Sequence, residues 1–113
     1  MHELSVVYEI IKAVDNVVIE NNLTFVESIV VEVGEVSTIV PHYLQECFPA
    51  AIDNTRYADT KLIIEIIKGV GKCRHCGTVY DILPNEGFCP TCKAKDWECL
   101  SGREFNIKEI VAY

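Results

Sequence analysis

Long apolar runs are missing from this sequence. No stretch approaches the roughly 18 consecutive apolar residues that a membrane-spanning helix needs, so no transmembrane segment is predicted. The first residues contain neither the basic segment nor the apolar segment of a secretory signal peptide. We therefore expect a cytoplasmic protein in a reducing compartment, where paired cysteines are more often metal ligands than disulfides.

Positive charge is also scarce. The chain has 10 Lys and Arg against 17 Asp and Glu, which gives a net charge of −7 at pH 7. Between residues 69 and 99, four basic and four acidic side chains balance, so the whole deficit lies outside that segment. A phosphate-binding surface needs clustered Lys and Arg. We therefore expect no nucleic-acid partner.

The first half of the chain predicts two helices and a strand. Residues 3–21 carry apolar side chains at helical spacing, which is typical of an amphipathic helix. Residues 24–36 change to alternation and are rich in β-branched side chains, which predicts a strand. Pro41 suits the first turn of a second helix. Pro49 should then cause a kink, or divide that helix into two short ones.

Two more strands are predicted in the second half. Residues 61–68 are apolar on both faces, since Ile63 and Ile67 lie opposite Leu62, and this pattern favours the central strand of a sheet. A last strand is expected at residues 104–111, where apolar and polar side chains alternate again.

A cysteine-rich segment separates these two strands and looks like an insertion. The predicted fold is therefore α+β, with a small mixed three-stranded sheet, two helices and an inserted zinc-ribbon domain with four cysteine ligands. We expect an α/β domain at residues 1–70 and 101–113, and the zinc-ribbon domain at residues 71–100.

The inserted segment contains two Cys-x-x-Cys pairs, Cys73 with Cys76 and Cys89 with Cys92, separated by 12 residues. Two such turns that face each other can complete a tetrahedral zinc site. Four thiolates close the coordination shell and leave no position for water, which predicts a structural zinc rather than a catalytic one. A redox dithiol is the alternative for a single pair, but the doubled motif disfavours it.

Four other residues need an interpretation. His75, inside the first pair, is an exposed turn residue or else an alternative metal contact. Cys99 is a spare, partly buried thiol or an additional ligand. Cys47 is expected in the core, and His42 in the solvated first turn of the second helix.

The tripeptide Met1-His2-Glu3 is a possible second metal site. Methionine is generally retained before a bulky residue such as histidine, and this leaves a free α-amine close to an imidazole. The amine, the deprotonated amide nitrogen and the imidazole can chelate one ion, and such nitrogen-rich planar coordination suits Ni(II) or Cu(II). Glu3 can add its carboxylate or its backbone nitrogen. Alone, the tripeptide is a weak indication.

In combination, the motifs closely resemble the HypA/HybF family of nickel-insertion metallochaperones over the full chain. The motifs are Met-His-Glu-Leu-Ser at 1–5, Val-Glu-Val-Gly-Glu-Val-Ser at 31–37, Cys-x-x-Cys-Gly at 73–77, Cys-Pro-x-Cys at 89–92 and Ser-Gly-Arg-Glu-Phe-Asn-Ile-Lys-Glu-Ile at 101–110.

The resemblance implies a non-enzymatic carrier that serves [NiFe]-hydrogenase maturation. Its transient Ni(II) cargo would bind at Met1, His2 and Glu3 of a nickel-binding α/β domain. Structural Zn(II) would bind at Cys73, Cys76, Cys89 and Cys92. The implied partners are the maturation GTPase of the pathway and the hydrogenase large-subunit precursor, with urease as a further acceptor in some organisms. We expect a monomer or a weak homodimer.

Two other functions stay open from the residues alone. A zinc-ribbon adaptor that only binds proteins would need neither nickel nor a free N-terminus. A dithiol oxidoreductase would need metal-free cysteine pairs. The family also includes members with histidines beside the zinc cysteines that respond to pH or nickel, whereas here the only such residue is His75.

Overall fold

Residues 3–113, which are the part of the chain described by this computed structural model, form two helices and two three-stranded sheets. The predicted α+β fold class is confirmed. Neither helix in this part of the chain is long and apolar enough to cross a membrane. The elements are α1 (Glu3–Glu20), β1 (Val26–Gly34), α2 (Pro41–Ile52), β2 (Lys61–Ile67), β3 (Val70–Cys73), β4 (Val79–Asp81), β5 (Trp97–Ser101) and β6 (Phe105–Ala112).

The chain divides into two compact units. The first, which we call the helical unit, contains the described residues up to Glu32 together with Ile39–Glu65 and Asn106–Tyr113. The second, which we call the cysteine unit, contains Val33–Thr38 and Ile66–Phe105.

The two helices pack against each other in the helical unit. Helix α1 buries Val7, Ile10, Val14 and Val18, which are three or four residues apart and share one face. Leu4, which the periodicity places on the same stripe, is 41% exposed.

Helix α2 buries Leu44, Phe48 and Ile52 at intervals of four residues. It continues as one helix through Pro49, so the predicted division into two helices is not observed. Pro49 lies on the exposed side of the helix, where its ring does not displace a core side chain.

The larger sheet has the strand order β2-β1-β6. Strand β1 is therefore central, and Ile29, Val31 and Val33 on it are completely buried. The prediction that β2 is the central strand is wrong, because β2 lies at an edge and Ile63 and Ile66 are 45% and 52% exposed. An apolar strand pattern records the hydrophobicity of the side chains, whereas the number of neighbouring strands depends on tertiary pairing.

Three glycines bring backbone segments into close contact within the cysteine unit. A Cβ atom placed on Gly34 would lie 1.9 Å from the carbonyl oxygen of Gly102, and one on Gly102 would lie 2.4 Å from Cα of Gly69. Glu35 secures this contact, because its N–H donates to Ile67 O at 2.8 Å and its carboxylate accepts the N–H of Gly69 at 2.8 Å. Gly34 and Gly102 are thus required by sterics, because a Cβ atom on either would overlap backbone atoms.

Candidate metal centre

The smaller sheet holds the cysteine pairs, with strand order β4-β3-β5. Strand β3 runs antiparallel to both neighbours and ends at Cys73, so the first pair follows directly from a sheet strand. Gly71 on β3 permits close packing, since a Cβ atom there would lie 3.2 Å from side-chain atoms of Ile82 and Trp97.

The first cysteine pair forms a tight turn. Cys73 N–H donates to Thr78 O at 2.8 Å, and Gly77 N–H donates to Cys73 O at 3.0 Å. Gly77 has φ +79°, a left-handed conformation that glycine adopts at little cost.

The second pair repeats this turn with different residues. Cys89 N–H donates to Ala94 O at 2.8 Å, and Lys93 N–H donates to Cys89 O at 2.9 Å. Lys93 has φ +66°, although it carries a Cβ atom. The position that glycine fills in the first turn is therefore strained in the second.

Lys93→Gly is expected to stabilise the protein by about 0.5–1 kcal/mol, because it removes the left-handed strain. The greater flexibility of the unfolded glycine chain offsets part of this gain. The thermal unfolding midpoint of the zinc-loaded protein should rise by a few degrees. Lys95→Gly is the matched control, since Lys95 is an exposed lysine whose φ is not positive. An equal rise in both variants, or a fall in Lys93→Gly, would contradict the assignment of strain to Lys93.

The two turns bring four sulfur atoms together. The Sγ atoms of Cys73, Cys76, Cys89 and Cys92 all lie within 4.8 Å of one another. The Sγ atoms of Cys73 and Cys92 are 3.6 Å apart, and so are those of Cys76 and Cys89. A tetrahedral zinc with Zn–S bonds of about 2.3 Å separates its sulfurs by about 3.8 Å. The donor set and the geometry therefore fit zinc.

Backbone N–H groups favour thiolates at the two buried cysteines. His75 N–H donates to Cys73 Sγ at 3.4 Å, and Thr91 N–H donates to Cys89 Sγ at 3.4 Å. The N–H of Cys76 contributes most to lowering the pKa of Cys73. Burial opposes ionisation of Cys89, but N–H groups of Cys92 and Thr91 outweigh it and bring the pKa of Cys89 to about 6.

Cys92 shows the opposite shift. The backbone N–H of Ala94 favours its thiolate, but the neighbouring sulfurs, Cys73 first among them, raise the pKa of Cys92 to about 11. Four thiolates cannot share so small a volume unless a cation neutralises part of their charge. With a cation in place, all four sulfurs can be thiolates at once.

A small apolar cluster supports the sulfurs. Tyr80 is 5% exposed, packs with Cys73 and Cys89, and donates its hydroxyl to Gly87 O at 2.9 Å. Ile82 is buried as well, whereas Leu83 is 50% exposed and Phe88 is 45% exposed.

His75 lies outside the four-sulfur cluster. Its Nε2 is 3.2 Å from the carboxylate of Asp96, which also contacts Arg74 Nε at 3.2 Å. His75 is therefore an exposed turn residue with a carboxylate partner. The spacing of the paired cysteines gave no indication of Asp96, which lies four residues beyond Cys92.

The two remaining cysteines also lie outside the cluster. Cys99 is half-buried on β5, and its Sγ is 3.2 Å from Ser101 O. Cys47 is only partly buried, so its expected place in the core is not observed.

Of the predicted nickel ligands, Met1 and His2 lie outside the described residues. Glu3 is 4% exposed, and its carboxylate accepts the N–H of Val40, the residue before α2, at 3.2 Å. This hydrogen bond is the main reason that the pKa of Glu3 is lowered. The carboxylate therefore connects the start of α1 to the start of α2.

A cavity of about 410 Å³ lies beside Glu3 in the helical unit, and mostly apolar atoms line it. His42 is exposed nearby on α2 and pairs with Glu46 at 3.2 Å. The cavity-lining residues are Glu3, Leu4, Tyr43, Glu46 and Cys47.

Comparison with known proteins gives consistent matches. Residues 1–112 match the model of the family described as hydrogenase/urease nickel incorporation, metallochaperone, HypA. The hydrogenase maturation factor HypA of Trichodesmium erythraeum is 32% identical, with 97% of this chain and 94% of that protein covered. The protein of the same name from Desulfosudis oleivorans is 33% identical, with 97% of this chain and 96% of that protein covered.

Solved structures agree in fold. The solution structure of the Ni metallochaperone HypA from Helicobacter pylori has a TM-score of 0.66 at 24% identity, with 99% of this chain and 97% of that chain covered. A second solution structure, of a HypA protein, has a TM-score of 0.68 at 25% identity, with 100% of this chain and 97% of that chain covered. These likenesses extend over the whole chain, including the cysteine segment.

Proposed function

Since this chain belongs to the HypA family of nickel-incorporation metallochaperones, we propose that it carries Ni(II) to the precursor of the [NiFe]-hydrogenase large subunit. The carrier has no reaction of its own to catalyse, because its task is to bind an ion and release it to an acceptor. The observation that carries this proposal is the family match over residues 1–112, which includes both metal motifs.

The proposed nickel ligands are the α-amine of Met1, the amide nitrogen and imidazole of His2, and Glu3. Glu3 offers two groups, and its carboxylate already accepts the N–H of Val40. We therefore propose that Glu3 contributes its backbone nitrogen. Such a planar, nitrogen-rich site suits Ni(II), and a planar site at a chain end leaves an open face for an acceptor.

Zinc is proposed at Cys73, Cys76, Cys89 and Cys92, with a structural role. The compact cluster of four sulfurs supports this assignment, and a closed shell of four thiolates leaves no position for a substrate. Zinc would supply folding free energy to a segment whose apolar core is small.

The nickel-binding domain is proposed at residues 1–70 and 101–113, and the zinc domain at residues 71–100. The maturation GTPase of the pathway is the proposed partner for delivery, in the reducing cytosol. A zinc-ribbon adaptor without nickel is the alternative, and nickel binding distinguishes the two.

His2→Ala is expected to abolish nickel binding, because it removes one ring nitrogen and its chelate ring. Titration calorimetry of tag-free protein with Ni(II) should show one site in the wild type and none of comparable affinity in the variant. A version with extra residues before Met1 should lose the site as well, since its α-amine is displaced. His42→Ala is the matched control, because it removes another exposed histidine of the helical unit.

Zinc content should stay at one ion per chain in all of these variants. Unchanged nickel affinity in both His2→Ala and the extended protein would exclude the N-terminal site. Loss of nickel binding in His42→Ala would indicate that the nickel site includes α2 instead.

A further inference from the structure

The apolar faces of α1 and α2 both extend beyond the packed core at the same place. Leu4 lies three residues before the buried Val7 and continues the stripe of α1, yet it is 41% exposed. Cys47 lies three residues after the buried Leu44 on α2, yet it is only partly buried. Both line the cavity of about 410 Å³ in the helical unit, which we call the helix cavity. A packed core normally leaves no unfilled apolar volume of this size.

The walls of the helix cavity suit an anchor from another protein better than a small molecule. Leu4 and Tyr43 on the wall are 41% and 52% exposed, and Tyr8, one turn beyond Leu4 on α1, is 54% exposed. A small-molecule site normally buries most of its ligand, whereas an occupant between such exposed walls would stay partly in water. Exposed apolar side chains beside an apolar cavity are typical of a surface that binds a protein.

Charge indicates the chemistry of that partner. The cysteine unit holds six basic and six acidic residues, so the net charge of −7 belongs entirely to the helical unit. The two charged residues that line the cavity, Glu3 and Glu46, are both acidic. The Glu46 side chain is 61% exposed and contacts His42, which is charged only when it is protonated. A complementary partner is therefore basic around its apolar group.

We propose that the helix cavity is the docking site for a partner protein segment that inserts a large apolar side chain, such as Leu, Met or Phe, flanked by Lys or Arg. The cavity holds the apolar anchor, and Glu46 pairs with a flanking cation at the rim. Resting on the nickel site of the proposed function, docking here positions the partner for metal transfer, because Glu3 is both a wall residue and a proposed nickel ligand.

Fluorescence anisotropy with labelled helical peptides tests this docking on tag-free, zinc-loaded, full-length protein in the absence of nickel. The first peptide carries one Phe and one Leu flanked by lysines. A second peptide replaces the Phe and the Leu with Ala, and a third replaces the lysines with Glu. We expect saturable binding of the lysine peptide, binding of the alanine peptide that is at least about ten-fold weaker, and no binding of the glutamate peptide.

Matched variants locate the binding at the cavity. Leu4→Ala should weaken it at least about five-fold, whereas Ile19→Ala, at a 70% exposed position near the other end of α1, should leave it unchanged. Glu46→Gln should weaken it about two- to three-fold, whereas Glu20→Gln, an exposed acid outside the cavity lining, should not. Cys47→Phe fills the cavity and should remove the binding. If Cys47→Phe does not fold, the two matched pairs decide the matter.

Three results would overturn the docking site. One is equal binding of the lysine and glutamate peptides, and another is equal binding by Leu4→Ala and Ile19→Ala. The third is a dimer in sedimentation analysis that Cys47→Phe abolishes, since a second copy of the chain would then occupy the cavity. Nickel binding is measured separately by dialysis. Nickel binding without peptide binding would overturn only the docking site, whereas peptide binding without nickel binding would overturn the carrier function and the role in transfer.

Discussion

Cys73→Ser is expected to release the zinc and unfold the cysteine unit. Cys73 is 2% exposed, ends strand β3 and accepts a backbone N–H through its sulfur. A serine oxygen is a poorer zinc ligand, and structural zinc sites supply on the order of 10–16 kcal/mol to segments that cannot fold without the ion. The apolar cluster around Tyr80 is too small to replace that contribution.

Zinc analysis and an amide NMR spectrum measure this effect. Zinc should fall from one ion per chain to near zero, and the signals of residues 70–101 should collapse to unfolded positions. Helical circular dichroism should persist, because both helices belong to the helical unit. Cys99→Ser is the matched control, since Cys99 is half-buried in the same unit but outside the sulfur cluster. A folded, zinc-loaded Cys73→Ser protein would contradict the assignment.

Gly34→Ala is expected to destabilise the protein by more than about 4 kcal/mol, a size that point mutations rarely reach. The added Cβ atom would lie 1.9 Å from the carbonyl oxygen of Gly102 and 2.1 Å from its carbonyl carbon. Both neighbours are backbone atoms, so no side-chain rotation can relieve the overlap. The end of β1 and the segment Gly102–Glu104 would have to separate. This separation breaks the hydrogen bond from Gly34 N–H to Glu104 O at 2.7 Å.

Chemical denaturation of the zinc-loaded protein measures this loss, and Gly77→Ala provides the control. Gly77 has open space around its Cβ position, so only its φ of +79° opposes alanine. That substitution should cost about 1 kcal/mol. Similar losses in the free energy of unfolding for the two variants would contradict the steric overlap assigned to Gly34.

Local sequence patterns were sufficient to predict most of the helices and strands. The predicted helix at 3–21 is observed at Glu3–Glu20, and the predicted strand at 61–68 is observed at Lys61–Ile67. In both segments the periodicity of the apolar side chains matches the backbone period, so burial and local conformation agree.

Tertiary relations were not predictable in the same way. Strand β2 reads as central because it is apolar on both faces, yet it lies at a sheet edge with Ile63 and Ile66 exposed. The sequence does not predict β3, β4 or β5, because each is short and takes its conformation from pairing within the smaller sheet. Pairing partners distant in the chain leave no periodic signature.

The cysteine cluster was predictable because Cys-x-x-Cys spacing encodes a local turn. The contact of Thr78 Oγ1 with Cys76 Sγ at 3.1 Å is not indicated by that spacing. The bond from Val40 to the Glu3 carboxylate joins residues 37 positions apart. No local pattern indicates such a contact.

Metal analysis after equilibrium dialysis against Ni(II) tests the carrier function most directly. Tag-free, full-length protein is dialysed at neutral pH with a small excess of nickel, and nickel and zinc are measured in the same sample. We expect one nickel and one zinc per chain. One zinc and no nickel above the level of the dialysis buffer would contradict the proposed nickel carrier and favour the zinc-ribbon adaptor.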